Sequence, residues 1–355
     1  MLLLTLLILF LLIYSSSLAQ AQAKEGFSAH AFNLSNTLPL RGALALGILS
    51  FHTSLLLQPQ TPILASIIHE IRGWSIMIVA GFFFLTGYGL ISSIKTKGND
   101  YLHGFLTKRI KKLLPAFLIT SILIEIENYG KGDLTTDTLL ADLLHGPGYS
   151  WYVYAIVVFY ILFKLIFSLS HNQSPSAITW KIWTYTIVVL ALIHVVENIL
   201  HWAPHYYASS YAVILGMFYA HYERHIKSLY ERSPLTTAFI FTCLILLLFA
   251  IHAKSQTPFA YRCIQNLLPI ALVFIIYTIG KKTYPVLSFL GSISYEIYLS
   301  HALFVGMYVL IVERLGIHWS LFTLFVLFAS VTTAYIIHQL QSTTFIRSCK
   351  NSSTF

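Results

Sequence analysis

Stretches of about twenty apolar residues recur along the whole chain, and this recurrence limits the folds that are open to it. A helix of about 20 apolar residues is long enough to cross a hydrocarbon core about 30 Å thick. Apolar residues make up 57% of the 355 residues and charged residues only 10%, which is too little polar surface to cover a water-soluble domain. The sequence therefore predicts an all-α, polytopic bundle of transmembrane helices.

Eleven apolar segments are predicted to form helices. They lie near residues 2–18, 39–57, 74–94, 113–127, 150–170, 180–198, 205–222, 236–252, 265–280, 287–311 and 319–339. The segment at 113–127 carries Glu125 and Glu127, so we expect it to pack against protein and not against lipid.

Lysine and arginine are distributed unequally between the loops that join these segments. If the helix at 39–57 begins in the cytosol, 17 of the 22 Lys and Arg residues lie on the cytosolic side, as the positive-inside rule predicts. The C-terminus then lies in the cytosol. The net charge of +9 is explained by this topology, and the basic residues form no continuous surface that would predict a nucleic-acid partner.

The N-terminus allows two interpretations. Leu2 to Ile13, followed by Ala19-Gln20-Ala21, is typical of a cleaved signal peptide. Cleavage would place every later loop on the side that the charge distribution disfavours, so we expect an uncleaved helix over residues 1–23 with its N-terminus outside. The integral-membrane domain is expected over 36–341, and a short cytosolic tail over 342–355.

Arg41 and His52 lie eleven residues apart in the second predicted helix. At 100° per residue they share one face, about 16.5 Å apart along the axis, with Arg41 nearer the cytosol. Histidine can accept a proton from an alcohol that attacks a carbonyl group, and arginine can hold a phosphate. A packing histidine and an arginine that extends to the membrane surface are the alternative.

A basic cluster precedes Pro115 on the predicted cytosolic side, and it consists of Lys108, Arg109, Lys111 and Lys112. Arg109 and Lys112 are neighbours on a helical turn, so both could bind one anion such as a diphosphate. Positive-inside anchoring or contact with anionic lipid headgroups would also explain the cluster.

Two further segments place polar or aromatic groups in apolar sequence. Trp151 and Tyr152 open the predicted helix at 150–170 on the outer face, where an interfacial aromatic belt would explain them. Glu296 and His301 lie within the segment at 287–311, where they serve either catalysis or a structural hydrogen-bond network. The cysteines and the closely spaced histidines lack the pattern of a metal site, so no metal is predicted.

In order and spacing these blocks resemble the acyltransferase family 3 membrane proteins, which include bacterial O-antigen and exopolysaccharide O-acetyltransferases. The resemblance extends from about Asn36 to about His338. It rests on Leu40-Arg41-Gly42 with His52, Phe82 to Tyr88, the basic block ending at Pro115, Ser150-Trp151-Tyr152, and Leu290 to His301. Lys112 stands where the family usually has an arginine, which keeps the charge but loses the bidentate fork.

The resemblance implies ten core helices, with the segment at 2–18 as an addition, in the bacterial inner membrane. It implies transfer of an acetyl group from cytosolic acetyl-CoA to a hydroxyl of a lipid-linked or surface glycan, such as lipopolysaccharide O-antigen. The alternatives are a transporter of an acyl donor or glycan precursor, which would use the same buried charges as a pathway, and a lipid-binding scaffold without a reaction.

The site residues follow from the resemblance together with the helix geometry. His52 is expected to deprotonate the acceptor hydroxyl, with Arg41 beside the path of the donor and Tyr295 or Glu296 orienting the reacting groups. The donor is expected to enter past Lys108, Arg109, Lys111 and Lys112. Trp151, Tyr152 and His301 are expected to contact the substrate.

Overall fold

The computed structural model describes residues 34–56, 61–73, 75–133, 135–145, 150–279 and 285–352, and these residues form helices and turns without a strand. The predicted helix at 2–18, and with it the expected domain over 1–23, lies outside the described residues. The α-helices are α1 (Leu34–Leu56), α2 (Pro62–Gly73), α3 (Ser75–Lys97), α4 (Phe105–Lys131), α5 (Thr136–His145), α6 (Trp151–Ser168), α7 (Pro175–Asn198), α8 (Tyr211–Arg232), α9 (Pro234–Ser255), α10 (Pro258–Ile279), α11 (Pro285–Ser292), α12 (Ser294–Gly306) and α13 (Trp319–Ser352).

Each predicted segment from 39–57 onward overlaps an observed helix, but the boundaries differ in informative ways. The basic cluster belongs to α4, which begins at Phe105 and not at residue 113. The predicted segment at 287–311 is interrupted, because α11 ends at Ser292, α12 begins at Ser294, and a π-helical turn follows at Val309–Arg314. The short helices α2 and α5 were not predicted.

Five helical stretches in the described part of the chain are long and apolar enough to cross a membrane. They are Ser75–Leu102, Trp151–Ser168, Pro175–Asn198, Ser294–Arg314 and Trp319–Ser342. The all-α class and a multi-pass membrane protein are thereby confirmed, while ten core helices remain a prediction.

The described residues group into two compact units. The first unit comprises residues 34–40, 69–103 and 162–279, and the second comprises 41–68, 104–161 and 285–352. Every residue that the sequence predicts to carry chemistry lies in the second unit.

In the first unit, α3 and α8 pack with their backbones in direct contact. A Cβ atom on Gly87 would lie 2.0 Å from the carbonyl oxygen of Val213, and one on Gly216 would lie 2.1 Å from the carbonyl oxygen of Phe84. Neither position has room for a side chain. Small residues that allow such close approach are typical of helix pairs in membranes.

In the second unit, α12 is fixed by hydrogen bonds at its start and in its middle. The Ser294 hydroxyl donates to the carbonyl oxygen of Gly291 across the break between α11 and α12, at 2.9 Å. The Ser300 hydroxyl donates to the carbonyl oxygen of Ser330 in α13, at 3.0 Å. Buried serine hydroxyls that bond a neighbouring backbone hold helices together where water is absent. These bonds set the position of the helix that carries Glu296 and His301.

Candidate functional site

Two imidazole rings face each other in the second unit. The ring centroids of His52 on α1 and His301 on α12 lie 4.8 Å apart, with their planes tilted by 38°. His301 is fully buried and His52 is half-buried. The ring of Phe51 meets His52 edge-on, with centroids 4.8 Å apart. The residue predicted to act as the base therefore lies beside a second imidazole in a largely apolar setting.

Tyrosine rings continue this row of side chains. Tyr298 lies one helical turn before His301, and their ring centroids are 5.8 Å apart. Tyr152 of α6 meets Tyr298 nearly edge-on, with centroids 5.3 Å apart, and both rings are buried. Trp151 is half-buried, with its ring 6.4 Å from that of Tyr152. The predicted substrate-contacting residues Trp151, Tyr152 and His301 thus lie along one aromatic row that leads to His52.

Two guanidinium groups lie near one another in the same unit. Arg41 is half-buried and interacts electrostatically with Arg109 and with the phenol groups of Tyr152 and Tyr160. The Arg109 guanidinium carbon lies 5.4 Å from the centre of the Tyr160 ring and 5.5 Å from that of Phe105. Like charges held together in a partly buried space favour the binding of an anion between or beside them.

The basic cluster on α4 divides into one half-buried residue and three exposed ones. The guanidinium group of Arg109 lies against the rings of Phe105 and Tyr160. The side chains of Lys108, Lys111 and Lys112 are exposed. An exposed ammonium group on a long flexible chain attracts anions at a distance but holds them loosely. Arg109 is therefore the member of the cluster that is positioned to act together with Arg41.

Tyr295 and Glu296 are adjacent in sequence but bond to different helices. The Tyr295 hydroxyl donates to the carbonyl oxygen of Leu113 on α4, at 3.0 Å. Glu296 is buried, and Nδ1 of His338 on α13 donates to its Oε1 at 2.9 Å. The start of α12 is thus tied to α4 on one side and to α13 on the other, and the buried carboxylate has an imidazole partner.

Three residues at the site were not identified from the sequence: Tyr160, Tyr298 and His338. Tyr160 lies eight residues after Tyr152 and Tyr298 three residues before His301, so helical spacing would have placed each on the same face as its predicted neighbour. His338 gives no local signal, because its contact with Glu296 joins two helices that are distant in sequence.

The fold and the site define a multi-pass α-helical membrane protein in which a contacting pair of histidines and a pair of arginines belong to one compact unit. The acyltransferase domain of the acyltransferase 3 family matches residues 40–339, and the chain belongs to that family. The protein is therefore a transferase of acyl groups, and the resemblance seen in the sequence is confirmed. No curated protein and no solved structure matches the chain.

Proposed function

We propose that the protein is an O-acetyltransferase of the bacterial inner membrane, which moves an acetyl group from cytosolic acetyl-CoA to a hydroxyl of a surface glycan such as lipopolysaccharide O-antigen. One observation carries this proposal. The second unit contains a pair of arginines suited to the phosphates of a coenzyme A thioester, and a pair of histidines suited to proton transfer, with α1 supplying a member of each pair.

The donor side of the proposal rests on charge. The diphosphate of acetyl-CoA requires cations, and the guanidinium groups of Arg41 and Arg109 present planar arrays of N–H donors that match phosphate oxygens. The exposed lysines of α4 attract the anionic donor from the cytosol. The pantetheine arm is uncharged and long, so it can extend into the apolar region while its phosphates stay with the arginines.

The reaction needs one proton acceptor, and His52 supplies it. Nε2 or Nδ1 of His52 takes the proton of the acceptor hydroxyl as the hydroxyl oxygen attacks the thioester carbonyl carbon. The carbon–sulfur bond then breaks, an ester forms, and the departing thiolate takes the proton back from His52. The neutral imidazole is the form of histidine that can act as a base.

The surrounding residues orient the reactants in this proposal. His301 and Tyr152 border the space beside His52 through the aromatic row and contact the acceptor together with Trp151. Tyr295 and Glu296 are held by bonds to α4 and α13, so they are fixed before the substrates arrive. Fixed groups lower the barrier because they need no reorganisation during the reaction.

The test is a mass-spectrometric comparison of the surface glycans made by cells that express the wild-type protein or the His52→Ala variant. We expect the mass increase of one acetyl group with the wild type and its loss with His52→Ala, at equal abundance in the membrane. The control is His225→Ala, since His225 is an exposed histidine on α8 outside the site.

Two results would contradict the proposal. The first is an unchanged acetylation by His52→Ala. The second is a purified protein in vesicles that carries acetyl-CoA or a glycan across the membrane and makes no ester, which would establish a transporter.

A further inference from the structure

The turn that joins α7 to α8 in the first unit carries a group of aromatic rings in mutual contact. The ring centroids of Trp202 and Tyr206 lie 5.6 Å apart in an edge-to-face arrangement, and those of His205 and Tyr206 lie 4.1 Å apart. Trp202 and Tyr206 are half-buried and His205 is exposed. We call these three residues the aromatic platform.

The backbone of this turn is fixed by hydrogen bonds to its surroundings. The amide of Trp202 donates to the carbonyl oxygen of Val196 at 3.0 Å. The side-chain amide of Asn266, which is buried on α10, donates to the carbonyl oxygen of Ala208 at 2.7 Å. His201, next to Trp202, has a φ of 52°. Residues other than glycine rarely adopt this left-handed conformation, and it persists only where the surrounding structure imposes it. The backbone that carries the three rings is therefore held in one conformation.

Charged and polar groups border the platform. Arg262 on α10 forms an ion pair with Glu197 on α7, with 2.5 Å between the guanidinium and carboxylate atoms. The same guanidinium lies 5.2 Å from the ring of Tyr207, which directly follows Tyr206. The turn thus combines aromatic faces with hydrogen-bond donors and acceptors over a few residues.

We infer that the aromatic platform binds a sugar ring of the acceptor glycan, an inference that rests on the proposed function. One face of a pyranose carries C–H groups that pack on an aromatic ring, while its hydroxyls require hydrogen-bond partners at the edge. The indole of Trp202 supplies the apolar face, and the phenol of Tyr206 and the imidazole of His205 supply polar edges. In the proposed orientation this turn lies on the outer side, where the glycan is.

Membrane anchoring is the competing explanation, because Trp and Tyr are common at membrane surfaces. A tryptophan on α7, the helix that precedes this turn, allows a direct comparison. Trp180 lies near the start of α7 and is 56% exposed, as expected of a side chain that faces lipid. The platform residues instead contact one another in a turn, and the most exposed of them is an ionisable imidazole.

The experiment measures binding by saturation-transfer NMR. The full-length protein is placed in lipid nanodiscs, and the probe is the oligosaccharide released by mild acid from the surface polysaccharide of the expressing bacterium. We expect transfer to sugar ring protons with the wild type, and affinity weakened about tenfold or more in Trp202→Leu. Trp202→Phe, which keeps a ring face, should bind nearly as the wild type does, and this variant separates loss of stacking from misfolding.

The control variant is Trp180→Leu, which removes an exposed tryptophan from α7 outside the platform and should bind as the wild type does. Equal binding by Trp202→Leu and the wild type, or absence of sugar binding by the wild type, would overturn the inference.

Failure of the inference and failure of the proposed function give different results. If the platform binds sugar but the wild type adds no acetyl mass to the glycan, the proposed function is wrong and the platform stands. If His52→Ala loses acetylation while sugar binding is indifferent to Trp202, the platform is wrong and the proposed function stands.

Discussion

Gly42 and Gly291 pack with their backbones in contact, and each lies ten residues before a member of the His52–His301 pair. A Cβ atom on Gly42 would lie 3.0 Å from the backbone nitrogen of Gly291 and 2.1 Å from the carbonyl oxygen of Leu287. Gly42 and His52 lie on one helix, α1, so a rise of about 15 Å separates them, whereas the chain from Gly291 to His301 passes the break between α11 and α12. We expect the contact between the glycines to influence the position of His52 relative to His301.

Gly42→Ala tests this dependence. The added methyl group has no room against the backbone of α11, so α1 must move away from it. We expect a destabilisation of about 1–3 kcal/mol. We also expect acyl transfer to fall about 100-fold, since a displacement near 1 Å at a reacting group has this effect. Thermal unfolding in detergent and the rate of glycan acetylation measure the two effects.

Gly89→Ala is the matched control for this substitution. Gly89 lies within α3, and nothing lies within 4 Å of the position that its Cβ atom would take. Alanine there should leave stability equal or slightly raised, because alanine favours helix more than glycine does. Wild-type activity in Gly42→Ala would show that the close packing of α1 on α11 does not control the histidine pair.

Arg109→Lys tests the role of the guanidinium in donor binding. Lysine keeps the charge but loses the planar fork and the stacking on Tyr160 and Phe105. We expect the KM for acetyl-CoA to rise about tenfold while kcat changes little, since in the proposed function Arg109 binds a part of the donor that does not react. Steady-state kinetics with purified enzyme in nanodiscs measure both constants.

Lys97→Gln serves as the control for Arg109→Lys, because it removes an exposed charge at the end of α3. It should change the KM much less than Arg109→Lys does. A fall in kcat with an unchanged KM in Arg109→Lys would place Arg109 in the chemical step and not in donor binding.

Lys181→Met tests a buried ammonium group in the first unit. Lys181 is fully buried, and its ammonium donates to the carbonyl oxygens of Phe167, Ser170 and Asn172, at 3.4, 2.7 and 3.0 Å. These carbonyls lie in the last turn of α6 and just beyond it, where a cation is stabilising. We expect methionine to lower the free energy of unfolding by about 3 kcal/mol, because the acceptors lose their donor.

The loss of stability in Lys181→Met is measured by chemical unfolding in detergent micelles, with Lys97→Met as the exposed control. The folded protein should keep its KM for acetyl-CoA, because Lys181 does not belong to the site. An unfolding midpoint equal to that of the wild type would show that the carbonyls find other partners.

Local helix geometry made part of the site predictable. Arg41 and His52 were placed on one face because their spacing in a helix depends on the helix alone. The length of the apolar segments predicts the long helices, because this property also depends on each helix alone. Residue spacing and apolar length each describe a single helix, so neither predicts the contact of His52 on α1 with His301 on α12.

The short helices α2 and α5 and the break between α11 and α12 were not predicted, for a different reason. α2 and α5 are too short to cross a membrane, so they lack the long apolar stretch by which a membrane-spanning helix is predicted. Between α11 and α12 the apolar pattern continues through the break at Ile293, where the Ser294 hydroxyl donates to the carbonyl oxygen of Gly291, so apolar length gives no sign of the break. The N-terminal start of α4 was missed because its basic first turns carry no apolar signal.

The Glu296–His338 pair gives a prediction that a double-mutant cycle can decide. Glu296 is buried, so loss of its imidazole partner leaves a carboxylate without the bond that stabilises it. We expect His338→Leu and Glu296→Leu each to reduce acyl transfer about tenfold or more. His338→Gln should restore part of the activity, because its side-chain amide can still donate a hydrogen bond to the carboxylate.

The double variant decides between a shared role and two separate ones. If His338 acts by holding Glu296 in place, Glu296→Leu/His338→Leu should be about as active as the less active of the two single variants, since either substitution removes the hydrogen bond between the two side chains. His225→Leu, at an exposed histidine on α8, controls for the loss of an imidazole as such and should leave activity unchanged. Effects that simply multiply in the double variant would show that the two side chains act independently, and His338 would then need a role of its own in the reaction.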